Sequence, residues 1–474
     1  MRILFDKTLK DGKLPDPWKE AQVSPIFKKG KKNAPGNYRP VSLTSIICKV
    51  FETFIRDALC NHLSSNKLLS KDQFGFSKGR SCISQLLVTI DEWLTYMDKK
   101  IPVDVAYLDF RKAFDSVPHK RLISKLQGYG VRGNVLQWIK DFLTNRYQHV
   151  KINDSSSNKV PVTSGVPQGS VLGPSLFIYF INDLPNCAKS LIIFFADDTK
   201  NYSPITSIED RDQLQSSINQ LVKWSELWLV RFNSDKCKIM HLGKNNPHYD
   251  YTIKEGDKIS SLVETCCEKD LGVNIDPELT FKSHINLTIK KARKVSGMII
   301  RNINYKDKDI MVPIYKALIR PILEYGNVVW CPHLLKDIKA IEKVQQHFTK
   351  TIKGYYNMSY PDRLKKLDLP SLEYRRLRGD LIEVFKVLHN KYDPLTTDTL
   401  FQLNTYSKTR SNGFKLYKPG VNSTKYRHFF TNRVIDLWNG LPESIVTAGS
   451  LNLFKNGIDR HFREHIYSTA IHIA

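Results

Sequence analysis

Leu191-Ile192-Ile193-Phe194-Phe195-Ala196-Asp197-Asp198-Thr199 runs from an apolar stretch straight into two adjacent acids. Six apolar residues in a row, rich in Ile and Phe, suit a buried strand. Neighbouring side chains on a regular strand point to opposite faces, so two acids at its end need a tight turn to expose both. A hairpin returning through Lys200 to Ser203 supplies that turn. An Asx-rich surface turn also accounts for an isolated Asp-Asp pair, so the pair has to be read with a second acid.

Ala106-Tyr107-Leu108-Asp109-Phe110 has the same form, a buried strand over Val103 to Leu108 followed by an Asp. Two such strands side by side gather Asp109, Asp197 and Asp198 at one sheet edge. Carboxylates so close repel, and hard cations relieve the repulsion; Mg²⁺ prefers oxygen ligands. Two such ions activate an attacking hydroxyl and stabilise a leaving pyrophosphate, which is the chemistry of nucleotidyl transfer.

Composition agrees with a polyanionic partner. Among 474 residues, 72 Lys and Arg stand against 47 Asp and Glu, a net charge of +25. That balance favours nucleic acid over an acidic small substrate. With 41% hydrophobic residues the chain is globular and of multidomain length, which excludes whole-chain disorder and collagen-like classes. Apolar runs such as Leu176 to Ile181 fall far short of the ~18 residues of a membrane span, so no membrane partner is expected. The opening Met1-Arg2-Ile3-Leu4-Phe5-Asp6-Lys7 is not a secretory signal. Eight cysteines (Cys48, Cys60, Cys82, Cys187, Cys237, Cys266, Cys267 and Cys331) show no metal-ligand or disulfide spacing, which suits a reduced, intracellular protein.

The positive charge is partly localised. No acid falls between Glu20 and Glu52, while Lys28, Lys29, Lys31, Lys32, Arg39 and Lys49 accumulate; Gln22 to Lys28 and Tyr38 to Thr44 read as strands of a basic hairpin around Gly30 to Gly36. A second acid-free run, between Glu278 and Asp307, contains a helix, Lys282 to Asn304, whose polar face carries Lys290, Lys291, Arg293 and Lys294. Such a face suits a phosphate backbone, although a solvated surface explains a lone basic run equally well. Helices are expected at Ile46 to Ser64, Ser84 to Asp98, Ser116 to Gln127, Asn134 to Leu143, Pro174 to Leu184 and Ile208 to Trp228. Beyond residue 280 strands fade, and helices are expected at Met311 to Tyr325, Leu335 to Ile352 and Ser371 to Leu388.

Six ordered motifs then resemble the reverse transcriptases of non-LTR retrotransposons, most closely the jockey-type lineages. They are Val23-Ser24-Pro25-Ile26-Phe27-Lys28-Lys29-Gly30, Asn37-Tyr38-Arg39-Pro40-Val41-Ser42-Leu43, Gln73-Phe74-Gly75-Phe76-Ser77-Lys78-Gly79-Arg80-Ser81, Leu108-Asp109-Phe110-Arg111-Lys112-Ala113-Phe114-Asp115-Ser116-Val117, Gly165-Val166-Pro167-Gln168-Gly169-Ser170-Val171-Leu172-Gly173-Pro174 and Phe195-Ala196-Asp197-Asp198. The likeness continues through Asn233, Lys236, Asp270-Leu271-Gly272-Val273, Trp330 and the late Phe430 to Pro442 segment.

The resemblance implies an α+β, right-hand polymerase: fingers over residues 1–100, a palm over 101–279 with a fingers insertion near 130–165, a helical thumb over 280–394 and a helical extension over 395–474. It implies RNA-directed DNA synthesis, with an RNA template, a DNA primer and dNTPs as partners and Mg²⁺, or alternatively Mn²⁺, as cofactor. Asp109, Asp197 and Asp198 would be the catalytic carboxylates and metal ligands, with the carbonyl of Phe110 as a further ligand. Lys236 would protonate pyrophosphate. Lys28 or Lys29, together with Arg39, would touch the triphosphate; Phe114 would be the aromatic gate against a ribose 2′-hydroxyl; Gln168 and Gly169 would meet template and nucleotide. Gln73, Gly79 and Arg80 resemble a template-contacting segment, Asp115 is expected to brace its turn, and Trp224, Trp228 and Trp330 to be core. Nuclear and cytoplasmic localisation is expected of such elements.

Nothing in the sequence resembles the upstream endonuclease, a ribonuclease H or a Cys/His knuckle, so a chain lacking the endonuclease is expected. The rival readings are a catalytically inactive nucleic-acid-binding remnant and, less favoured, a nucleotidyl cyclase, for which Gln73 to Ser81 and the basic helix have no purpose.

Overall fold

The computed structural model describes residues 1–404 and 413–468. The elements follow in order: α1 (Arg2–Asp11), β1 (Glu20–Phe27), β2 (Tyr38–Leu43), α2 (Ile46–Ser65), α3 (Cys82–Asp98), β3 (Val103–Leu108), α4 (Ala113–Ser116), α5 (His119–Gly128), α6 (Gly133–Leu143), β4 (Arg146–Ile152), β5 (Ser155–Ser156), β6 (Val160–Val162), α7 (Gly173–Ile181), β7 (Leu191–Phe195), β8 (Asp198–Pro204), α8 (Ile208–Trp228) and β9 (Lys238–Leu242). After short strands ending at Val273–Ile275, all further regular elements among the described residues are helical, among them α9 (Lys282–Asn302), α10 (Lys308–Ile314), α11 (Arg320–Glu324), α12 (Asn327–Trp330), α13 (Leu335–Lys350), α14 (Tyr360–Leu367) and α15 (Leu372–Leu388). The described chain forms two compact units, one of Met1–Ser77, Asp104–Ile239 and His248–Glu264, the other of Lys78–Val103, Met240–Pro247 and the residues from Thr265 onward.

The first unit carries two sheets. In one, β1 pairs antiparallel with β2 in the register Gln22↔Leu43 to Phe27↔Tyr38, and parallel with β4, which pairs in turn with β5 and β6. The basic hairpin expected from the sequence is therefore present. The other sheet has the order Val263–Glu264, β9, β3, β8, β7. Its middle strand β3 is buried at five of six positions, as a near-continuous apolar run predicts. The single acid inside β3, Asp104, is fully buried and accepts a 2.7 Å hydrogen bond from the Tyr251 hydroxyl.

Helices α2 and α7 pack the core of this unit. α2 buries Cys48, Phe51, Ile55, Leu59 and Leu63 at helical spacing, and the Phe51 ring meets Trp138 of α6 edge-on. α7 buries Leu176 to Ile181 without interruption. The helix expected at Ser116 to Gln127 instead begins at His119, because Pro118 supplies no N–H and its ring disfavours helical backbone at Val117.

The second unit is largely helical. α9 buries Ile285, Ile289, Ala292 and Ile299, and α13 buries Ile341, Val344 and Phe348. The helix expected at Met311 to Tyr325 spans α10 to α11 but contains a π-helical turn at Tyr315–Ile319, just before Pro321 removes a donor from the ladder. Phe429 to Leu441 forms two short helices, Phe430–Arg433 and Ile435–Asn439, where one pattern was expected. Arg433 forms a two-pronged ion pair with the buried Asp380, both contacts at 2.8 Å. Of the helical extension expected over 395–474, positions 405–412 and 469–474 lie outside the described residues. No helix among the described residues is long and apolar enough to cross a membrane.

Candidate active site

Strand β7 turns into β8 with Phe195 opposite Asp198, leaving Ala196 and Asp197 as a two-residue connection. Ala196 adopts left-handed backbone, φ 54°. This is the tight turn the adjacent acids required: Asp197 is half-buried, while Asp198 begins β8 and is exposed. The turn is held from behind. The Gln73 side-chain oxygen accepts the N–H of Ala196 at 3.0 Å and that of Gly75 at 2.6 Å. The Phe74 N–H donates to the Phe194 carbonyl, and the Phe194 N–H to the Asp72 carbonyl. A Cβ on Gly75 would stand 2.4 Å from the Ala196 nitrogen, so only glycine permits this approach.

Asp109 follows β3 on the neighbouring strand. Its carbonyl accepts the Asn233 N–H at 2.7 Å, and the ring of Phe110 stacks on Phe232 at 4.2 Å, so the Phe232-Asn233 segment fixes the backbone beside the carboxylate. Lys236 Nζ lies 3.2 Å from Asp109 Oδ2. The electrostatics of Asp197 bring more of the expected residues together. Burial pushes its carboxyl above the ordinary range, its own backbone N–H opposes that, the Asp109 charge adds to the rise, and Lys28 and Arg39 pull the value down. Two acids and two hairpin cations therefore act within one local field. The sequence left Lys28 and Lys29 as alternatives; Lys28 is the hairpin lysine among the charges acting on Asp197.

The Gly- and Pro-rich loop joins the hairpin to this centre. The Ser42 N–H donates to the Gln168 carbonyl at 2.6 Å, and the Val166 N–H to the Phe114 carbonyl at 2.8 Å. Gly169 has φ 114°, and a Cβ there would meet the Ser42 carbonyl oxygen at 2.5 Å. Gln168 Nε2 donates to Asp115 Oδ1 at 2.8 Å, so the Asp115 side chain engages this loop, where a cap or brace of the turn before Pro118 was expected. Phe114 is partly buried and stacks on Phe177 of α7 at 4.4 Å.

Three expected contact residues have other surroundings. Gln73 is only 2% exposed, in the interior behind the β7–β8 turn and not on the surface a template contact requires. In the second unit, the Gly79 carbonyl accepts the Asp393 N–H, and Arg80 pairs with the Asp393 carboxylate at 2.8 Å. Lys290, Lys291, Arg293 and Lys294 lie exposed along α9, also in the second unit. Trp224 and Trp330 are core, as expected, with Trp228 partly buried.

One supporting residue went unread. Glu52, fully buried on α2, accepts the N–H of Val171 at 2.7 Å and of Leu172 at 2.9 Å through Oε2, where the loop enters α7. A carboxylate at a helix start satisfies orphan donors and complements the positive end of the helix dipole. The signal was a lone Glu inside the apolar stripe of α2, between Phe51 and Ile55.

Residues 26–282, more than half of the chain, match the family described as reverse transcriptase (RNA-dependent DNA polymerase). The chain belongs to the reverse transcriptase family. Among curated relatives, the RNA-directed DNA polymerase from mobile element jockey of Drosophila melanogaster is 30% identical over 386 residues, covering 78% of this chain and 42% of the relative. The probable RNA-directed DNA polymerase from transposon X-element of the same species is 29% identical, covering 74% and 39%. The chain thus spans about two fifths of the length of these relatives. A telomerase from Candida albicans, solved with a TWJ fragment of telomeric RNA, aligns with a TM-score of 0.43 and 12% identity, over 82% of this chain and 64% of that one. The α+β class and right-hand polymerase fold expected of the sequence are those of a reverse transcriptase, and the carboxylates Asp109, Asp197 and Asp198 fall inside the matched region.

Proposed function

We propose that this reverse transcriptase chain is the polymerase portion of a non-LTR retrotransposon protein, extending a DNA primer on an RNA template with dNTPs. The observation that carries the reading is the convergence of Asp109, Asp197, Lys28 and Arg39 in one electrostatic neighbourhood. The donor set fits a hard divalent cation, because Asp109 and Asp197 offer carboxylate oxygens. Asp109 and Asp197 would hold Mg²⁺, with Asp198 and the Phe110 carbonyl as further donors. Such a metal, when bound, supplies Lewis-acid activation of the primer hydroxyl and charge for the departing pyrophosphate.

The remaining steps belong to side chains. Lys28 and Arg39 bind and orient the triphosphate, Arg39 through its fork of donors. Phe114, held by Phe177, excludes a 2′-hydroxyl. The Gln168-Gly169 backbone lies against the templated nucleotide, and Lys236 delivers a proton to pyrophosphate. In this reading the hairpin sheet with β4 and β6 serves as fingers, the β3–β7–β8 sheet as palm and the helices α9 to α15 as thumb, followed by the extension over 395–474, with the α9 cations toward nucleic acid. The site of action is intracellular, in nucleus and cytoplasm.

The test is extension of a primed RNA template by the purified chain with Mg²⁺ and dNTPs. Asp197→Asn is expected to abolish extension and retain nucleic-acid binding. Equal activity of the variant refutes the assignment, and an inactive parent that still binds nucleic acid establishes the rival reading of a non-catalytic remnant.

A further inference from the structure

Within the second unit, α9, α13 and α14 border a pocket of about 720 Å³. Its charge is of one sign: Arg293, Lys343, Lys350 and Arg363 line it together with His347, and none of the lining residues is an acid. Glu342, next to Lys343 in sequence, is engaged elsewhere, accepting the Tyr360 hydroxyl at 2.5 Å and the Leu372 N–H at 3.1 Å.

Two polar groups in the lining lack the partners burial demands. Arg363 is 3% exposed, yet its guanidinium donates only to neutral acceptors, the carbonyls of Met358 and Gln346 and the Thr349 hydroxyl, lies 5.4 Å from the Tyr360 ring centre, and forms no ion pair among the described residues. A buried cation without a carboxylate is costly unless an anion joins it. The Ser296 hydroxyl, also in a residue 3% exposed, has no hydrogen-bond partner. Beside these groups the wall is apolar and aromatic, built from Val344, Met358 and Tyr360. Gly297 leaves space on the α9 side: a Cβ there would meet nothing closer than the Arg301 guanidinium, at 3.5 Å.

Positive charge recognises phosphate, an aromatic and thioether wall recognises the face of a base, and a free hydroxyl recognises a base edge. The pocket volume suits a small ligand and not a stacked duplex. Lys290, Lys291 and Lys294, exposed on the same helix, extend the cationic surface beyond the pocket. We propose that the pocket takes one unpaired nucleotide of a single-stranded nucleic acid, its phosphate toward Arg293, Lys343 and Lys350 and its base against Tyr360 and Met358. The inference deepens the polymerase reading and rests on it for the nature of the strand.

The full chain is titrated with a labelled oligouridylate and with a blunt RNA–DNA duplex of equal length, as parent, as Lys343→Gln/Lys350→Gln and as Gly297→Leu, each checked by thermal melting. Loss of two of the three cations around that one phosphate is expected to weaken single-strand binding and flatten its log–log salt slope by up to about 0.7. Gly297→Leu, which fills the pocket without altering charge, is expected to weaken single-strand binding and spare the duplex. Unchanged single-strand binding in either variant, or equal losses on strand and duplex in Gly297→Leu, overturns the proposal, as does full competition by millimolar inorganic phosphate. In the parent protein, a 4-thiouracil base is expected to crosslink to Met358 to Tyr360 on irradiation, and crosslinks confined elsewhere overturn the proposal. Primer extension on a fully paired substrate is run alongside; its absence with strand binding intact removes the polymerase reading and leaves the pocket standing.

Discussion

The side-chain oxygen of Gln73 accepts the backbone N–H of Ala196 at 3.0 Å, one residue before the carboxylate of Asp197. The same oxygen takes the Gly75 N–H at 2.6 Å, so one buried amide ties a distant chain segment to the β7–β8 turn. Leucine at position 73 strands two buried donors, each costing about 1–3 kcal/mol. Gln73→Leu is expected to lower the melting temperature and to reduce kcat for primer extension more than it raises KM for dNTP, because the turn it loosens aims Asp197. A pure KM effect would point instead to a substrate-contacting role.

Glu52 gives a second handle, on the loop that enters α7. Glu52→Ala removes the acceptor of two backbone N–H groups, and is expected to destabilise the chain by about 3 kcal/mol, with Glu52→Gln intermediate since an amide oxygen still accepts. Chemical denaturation of the three proteins measures the order, and a Gln variant weaker than the Ala variant contradicts it.

Phe114 stacks on Phe177, which holds its ring in place. Phe114→Val is expected to retain dNTP incorporation and to admit ribonucleotides, lowering the kcat/KM ratio of dNTP to rNTP by about 10-fold or more. Single-nucleotide extension with each substrate measures the ratio. An unchanged ratio removes the gate role and leaves Phe114 as packing.

Asp91 on α3 accepts a hydrogen bond from the Thr431 hydroxyl, and burial raises its pKa to about 6. Between roughly pH 4 and 6 the folded chain holds a proton that the unfolded chain has released, so the contribution of this group makes stability fall as pH rises through that window. Asn carries no charge to bury. Asp91→Asn is expected to be more stable than the parent at pH 7.5, by up to about 3 kcal/mol at 1.36 kcal/mol per pKa unit, with the gain vanishing near pH 4. Melting curves at both pH values test this, and an equal gain at each contradicts the titration.

The strands that carry the acids were legible because their signals are local. β3 coincides with the apolar run Val103 to Leu108, and β7 ends one residue short of Ala196 where the backbone turns left-handed. α8 matches its amphipathic period over Ile208–Trp228. The π turn at Tyr315–Ile319 escaped notice because an apolar period survives a change in hydrogen-bond ladder, although Pro321 marked the place. Gln73 was read as a template contact from its motif; burial depends on what packs against a residue from elsewhere in the chain, and no local pattern reports that.

By itself the sequence determined the polymerase class, the basic hairpin and the strands β3 and β7 that end beside Asp109 and Asp197, since composition, period and motif are properties of contiguous residues. Only tertiary structure decided that Asp109 and Asp197 share a field with Lys28 and Arg39, that Gln73 and Glu52 brace the site from inside, and that a buried Arg363 without an ion pair and an unbonded Ser296 hydroxyl line one pocket. The physical reason is common to all three. Electrostatic coupling, desolvation and hydrogen-bond satisfaction act through space, between groups that folding brings together across as many as 168 intervening positions of chain, as for Lys28 and Asp197.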